Sequence, residues 1–231
     1  LATGDFSAYG SDSYGWVYFQ TCPYQGAMAL FMEPFIRLFG DGALRAWSLF
    51  GAISAPASLL ALCCSAKEFG AKPRTQLLCA VLCLLFVPIP MSASFVYGTL
   101  PAPAMVLWGG YGVLRFIKGG KPGWLVLPFV LFPLAVLAYQ SVLIFILAVC
   151  IVAAFSGFGH GSKQLLGGLV LAALLLAVPV AAENIGQTVF FNRVPIPYSS
   201  GMPASATVLM GIHSGTYYGP GGYDASSWKL F

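Results

Sequence analysis

Charge is what this sequence lacks most. Only 8% of its 231 residues are Asp, Glu, Lys or Arg, about a third of the roughly 25% usual in soluble domains. No charged residue falls in 46–66, 75–114, 122–162 or 164–182. A helix that crosses a bilayer needs about 20 apolar residues, so these windows hold about six spans. A soluble enzyme, a nucleic-acid binder and a disulfide-stapled secreted module are excluded on that ground. Strand-like alternation is missing too, because 77–87, 124–138 and 165–182 are continuous apolar runs, unlike the alternating segments of outer-membrane barrels. The expected fold is all-α, a polytopic transmembrane helical bundle.

Motifs of soluble-enzyme chemistry are also missing. No HExxH, GxSxG, P-loop, dinucleotide fingerprint or CxxC pair occurs. Five of the six cysteines, Cys63, Cys64, Cys79, Cys83 and Cys150, sit in apolar windows, where they act as small hydrophobes. Only Cys22 lies in a polar segment, so it has no disulfide partner in this chain. Cys79 and Cys83 are one helical turn apart, but no His or carboxylate is near enough in sequence to complete a metal site. Neither a metal nor a cofactor is called for.

What charge there is has a pattern. The short stretches 67–74, 115–121 and 156–163 carry Lys67, Lys72, Arg74, Arg115, Lys118, Lys121 and Lys163 against the single acid Glu68. The remainder carries Arg37, Arg45, Arg193 and Lys229 against Asp5, Asp12, Glu33, Asp41, Glu183 and Asp224. Basic loops stay cytoplasmic. Residues 1–45, the 91–103 hairpin and everything after Ala182 then face outside, and the net charge of +4 reports orientation, with no nucleic acid as partner. One helix of 32 residues within 122–162 would be about 48 Å long, too long for a hydrocarbon core of about 30 Å. Two helices are therefore expected, over 123–138 and 141–156, joined at Tyr139-Gln140-Ser141, with Pro128 and Pro133 bending the first.

The organisation that follows is an outer loop with a juxtamembrane helix (1–45), a helical bundle (46–182) and a second outer loop (183–231). The chain opens in an outward loop with no preceding span, so it reads as an internal piece lacking at least one N-terminal helix, with more helices after Phe231. Within the first loop, 27–39 is apolar but bears Glu33 and Arg37, which suits a helix lying along the interface. Glu33 and Arg37 are four apart and can pair on one face, with Pro34 bending the helix beside them. The second loop holds Gln187, Asn192, Arg193, His213 and Asp224 among many Gly, Pro, Ser and Tyr residues, a composition typical of binding loops. Trp16, Tyr18, Trp108, Trp124 and Trp228 read as interfacial anchors. Asp5, Asp12 and His160 read most simply as solvated loop residues.

Tyr18-Phe19, Pro23-Tyr24-Gln25-Gly26, Arg37-Leu38-Phe39-Gly40, Arg45 and Ser48 follow one another in an order that resembles the first outer loop of GT-C-fold glycosyltransferases. The nearest look-alikes are bacterial membrane proteins related to protein O-mannosyltransferases and aminoarabinose transferases. Phe95-Val96-Tyr97-Gly98-Thr99-Leu100-Pro101, Gly201-Met202-Pro203, Met210-Gly211-Ile212 and Gly219-Pro220-Gly221-Gly222-Tyr223 extend the similarity along most of the chain. The resemblance implies a multi-pass protein of the bacterial plasma membrane. It would move a sugar from a polyprenyl-phosphate donor to a polymer, lipid or protein acceptor on the extracytoplasmic face. Such transfer needs a carboxylate base for the acceptor hydroxyl and cations for the leaving phosphate. Arg45 and Arg193 suit the second role, while Tyr24, Gln25, Tyr97 and His213 could orient sugar or lipid head group. The family's catalytic Asp would align upstream of Leu1, and Asp5 and Asp12 match it poorly. Tyr139-Gln140-Ser141 departs from the pattern, since relatives often carry a Lys at that turn. A transporter or flippase subunit and a non-catalytic scaffold remain as other classes. Against an ion-coupled carrier, the charge-free windows contain no ionisable Asp, Glu, Lys or Arg.

Overall fold

A computed structural model describes residues 22–23, 25–85, 98–156, 162–194, 214–215 and 219–220. Apart from a two-residue antiparallel ladder between Ser214–Gly215 and Gly219–Pro220, the described residues are helices and the turns joining them. The helices are α1 (Gln25–Phe39), α2 (Ala43–Glu68), α3 (Pro73–Leu85), α4 (Pro101–Ile117), α5 (Val126–Ala138), α6 (Leu143–Phe155) and α7 (Ser162–Phe191). Short 3₁₀ turns at Gly40–Gly42, Pro122–Leu125 and Gln140–Val142 lead into α2, α5 and α6.

Gly40 has φ +52°, a left-handed backbone that glycine adopts without a Cβ penalty. The chain therefore reverses there. In a straight helix Phe31 and Trp47 would lie about 24 Å apart. Their rings instead meet edge-on at 5.9 Å, and Phe35 meets Trp47 at 5.3 Å. Helix α1 is thus folded back on the start of α2, with the wholly buried Trp47 as the rivet.

Contacts along the other helices fix their directions. Trp108 Nε1 donates to the Ala57 carbonyl at 3.0 Å, and Arg115 pairs with Glu68 at 2.7 Å. Helices α2 and α4 therefore run parallel, and α3 turns back beside α2. Helix α5 descends α4 in the opposite sense, brought close by glycines. A Cβ on Gly109 would come within 2.3 Å of the Phe132 ring, and one on Gly112 within 2.7 Å of the Trp124 carbonyl. At Tyr139 the backbone opens to φ −162°, ψ 102°, and α6 returns antiparallel to α5. Helix α7 packs along both, with Gly168 against the carbonyls of Ala153 and Ala154. Residues Phe132, Ala135, Val136, Ile146, Ala153 and Leu175 form the centre of the core.

The helix directions give the molecule two chemically distinct ends. The Glu68 end collects all seven basic residues of the short stretches, and the other end holds α1, the start of α2 and the close of α7. Between them, apolar side chains are exposed as well as buried: Leu49, Leu77, Ile144, Phe155, Leu166 and Ile185 are each more than half exposed. Two helical stretches, Gln25–Glu68 and Ser162–Phe191, are long and apolar enough to cross a membrane by length and composition. The first is bent at Gly40, so only its α2 part can do so in one pass. The serines of α2 do not disturb it, because Ser48, Ser54 and Ser58 each donate to the carbonyl one turn back.

One feature differs from the sequence expectation. Helix α7 does not stop at Ala182 but continues to Phe191, taking the first part of the 183–231 region into the bundle. Trp108 and Trp124 are tied into the helix packing: Tyr111 stacks edge-on with both, at 5.8 and 5.7 Å, and Arg115 lies 5.3 Å from the Trp124 ring.

Candidate functional site

The charged cluster opposite the Glu68 end is built on Glu33. One helical turn separates Glu33 from Arg37 on α1, which places them on one face. Arg37 Nε donates to Glu33 Oε1 at 2.9 Å. The second partner arrives from the far end of the chain: Arg193 Nη1 donates to Glu33 Oε2 at 3.0 Å. Arg193 stands in the turn that closes α7, its N–H donating to the Phe190 carbonyl at 2.9 Å. Close packing of α1 on α7 makes this meeting possible, since a Cβ on Gly26 would lie 2.5 Å from Phe190. Gly186 packs in the same seam against Ala27 and Leu137.

Burial is uneven across the cluster. The Glu33 side chain is 11% exposed, whereas Arg37 and Arg193 are 51% and 43% exposed. Two guanidinium groups against one carboxylate leave a net positive patch that is about half exposed on its cationic side. Arg45 adds to the charge at this end: it is exposed in the first turn of α2, and among the described residues no side chain pairs with it. Gln25 opens α1 and is buried. Of the residues singled out from sequence, the structure thus joins Arg193 to Glu33 and sets Gln25 and Arg45 at the same end on separate elements. Asp5, Asp12, Tyr24, Tyr97 and His213 lie outside the described residues.

A second polar pair was not legible from composition. Glu183 and Gln187, one turn apart on α7, are both buried, and Gln187 Nε2 donates to Glu183 Oε1 at 3.0 Å. Residue spacing shows that the two could meet, but only the packing of α1 on α7 shows that they are covered. Gly98, which precedes α4, approaches the Ala138 carbonyl so closely that a Cβ would sit 2.1 Å from it. The start of α4 is thereby docked beside the Tyr139 turn.

A groove of about 700 Å³ lies at the Glu68 end, between the close of α4 and α6 and the start of α5 and α7. It is therefore remote from the Glu33 cluster. Among the described residues no three of His, Cys, Asp and Glu gather to hold a metal ion. In comparison with known proteins, the chain matches no family model, no curated protein and no solved structure.

Proposed function

We propose that this chain belongs to a multi-pass membrane glycosyltransferase that takes a sugar from a polyprenyl-phosphate donor and acts at the Glu33 end of the bundle. The supporting observation is the convergence of Arg37 and Arg193 on Glu33, in a helix folded across the end of the bundle. Exposed apolar side chains along α2, α3, α6 and α7 suit contact with hydrocarbon. Six helices, α2 to α7, then run between two aqueous faces. The excess of basic residues assigns the Glu68 end to the cytoplasm.

In this reading the donor's phosphate meets a surface that carries more guanidinium than carboxylate. Arginine suits that task, because its planar fork can grip two phosphate oxygens at once and remains charged throughout. Glu33 engages both guanidinium groups, and each of them is about half exposed. Arg45 supplies a further cation from α2. As the sugar–phosphate bond breaks, charge accumulates on the leaving phosphate, and prearranged cations lower that barrier. The acceptor hydroxyl loses its proton to a carboxylate base. Glu33 is engaged by two arginines and Glu183 is covered, so neither suits the base.

The test uses the full-length protein in proteoliposomes with a radiolabelled polyprenyl-phosphate sugar and a cell-envelope acceptor fraction. Label should pass to the acceptor, and Arg45→Ala should abolish the transfer at unchanged expression. Undiminished turnover in that variant would sink the phosphate-contact role, and absence of any transfer would sink the transferase reading.

A transporter is favoured by one observation, the covered carboxylate of Glu183 inside a helix able to span a membrane. Ionisable groups in such positions commonly mark a substrate or ion path. Solute uptake by the same proteoliposomes, lost in Glu183→Gln, would support it; glycosyl transfer without uptake would exclude it.

A further inference from the structure

We infer that the groove at the Glu68 end holds one acyl chain of an anionic phospholipid, whose phosphate is gripped by Lys121 and Lys163. The inference rests on placement of the bundle in a bilayer and is independent of the transferase reading.

The groove has about 700 Å³ of space. Its walls include Phe116, Ile117, Phe129, Leu171 and Leu174, with the polar Gln164 at one end. Leu174 is 48% exposed, so the groove opens sideways onto the apolar flank of α7, where a lipid tail could enter without crossing water. Its polar rim is cationic. Lys163 directly precedes Gln164, and Lys121 opens the 3₁₀ turn that carries Leu125 into the wall. Both lysines are exposed, and among the described residues neither ammonium group has a polar partner. Among the described residues the only acid of this end, Glu68, is already occupied by Arg115 and so does not neutralise them.

Apolar walls beneath a basic rim match a chain attached to an anionic head group, and lysines near the cytoplasmic surface favour anionic lipids. A second copy of this chain is a poor occupant, since its own basic end would face the same lysines.

The experiment is native mass spectrometry of the full-length protein released from nanodiscs containing equal phosphatidylglycerol and phosphatidylcholine. Wild type should retain phosphatidylglycerol preferentially. Lys121→Gln with Lys163→Gln, both on the surface, should cut that preference about tenfold or more. Gly167→Leu should block retention by filling the groove, because Gly167 lines it and a Cβ there meets nothing within 4 Å. Equal retention of the two lipids would overturn the site, as would unchanged preference in the double lysine variant. Full retention by a folded Gly167→Leu protein, or displacement of phosphatidylglycerol by a polyprenyl phosphate, would also overturn it. Release of the wild-type chain from membranes by alkaline carbonate would instead overturn the bilayer placement.

Discussion

At the scale of single residues, Glu33 matters through what it holds. Each of its partners is about half exposed, so each ion pair contributes at most about 1 kcal/mol. Glu33→Ala loses both pairs and sets two guanidiniums against each other, for an expected loss of about 1–2 kcal/mol. Thermal unfolding in detergent should show it, and Arg193→Ala alone should cost about half as much. A double-mutant cycle of Glu33→Gln and Arg193→Gln should return a coupling of about 0.5–1 kcal/mol. Half of this cluster was legible in the sequence. The Glu33–Arg37 spacing of four announces itself on any helix, whereas Arg193 is 160 positions away. No local pattern carries a contact of that range. The glycines divide in a similar way. Gly112→Ala must push the Trp124 carbonyl, 2.7 Å from the new Cβ, for an expected cost of about 1–3 kcal/mol. Gly167→Ala meets open space and should stabilise the helix by up to about 1 kcal/mol. The letter Gly is the same at both positions, so only the neighbouring helix distinguishes them.

At the scale of elements, the join between α1 and α2 is the feature on which the candidate site depends. Trp47 is wholly buried and meets Phe31, Phe35 and Phe50. Trp47→Ala should cost about 3–5 kcal/mol and free α1 from α2. Limited proteolysis should then cut near Gly40 while α4 to α7 stay protected, and Trp47→Phe should restore most of the protection. Composition indicates a short interfacial helix before the first long apolar stretch. It does not show the fold-back, which needs both the left-handed backbone of Gly40 and an aromatic cluster assembled from two helices. The turn at Tyr139 was more legible, because helix length sets the limit there. A single helix of about 48 Å would exceed a hydrocarbon core of about 30 Å, and the chain reverses where polar residues occur. The end of α7 was less legible. A charged residue ends an apolar window but need not end a helix. Glu183 and Gln187 satisfy each other across one turn, and α1 covers the seam in which they lie.

At the scale of the whole molecule, the two ends differ in charge, and that difference makes the orientation testable. Leu38, exposed near the close of α1, and Lys121, exposed before α5, lie at opposite ends. In a background freed of native cysteines, Leu38→Cys should react with a membrane-impermeant maleimide in intact cells. Lys121→Cys should react only after permeabilisation. Labelling of both from outside would refute the orientation. Charge-free windows convey where long apolar helices lie, two of which are long and apolar enough to cross a membrane. They convey nothing of which helices touch. The parallel pairing of α2 with α4 depends on Trp108 reaching the Ala57 carbonyl, and its partner choice is a matter of shape.

The Arg193–Glu33 contact also sets a schedule for biosynthesis. A ribosome adds about 5–20 residues per second, and 160 positions separate the two side chains. About 8–30 s therefore pass between synthesis of the carboxylate and synthesis of its second guanidinium. During that interval α1 has Arg37 and the Trp47 cluster to hold it, but the close of α7 does not yet exist. The seam formed by Gly26, Ala27, Gly186 and Phe190 cannot close until translation has passed Arg193. Final seating of α1 is thus a late event relative to its own synthesis.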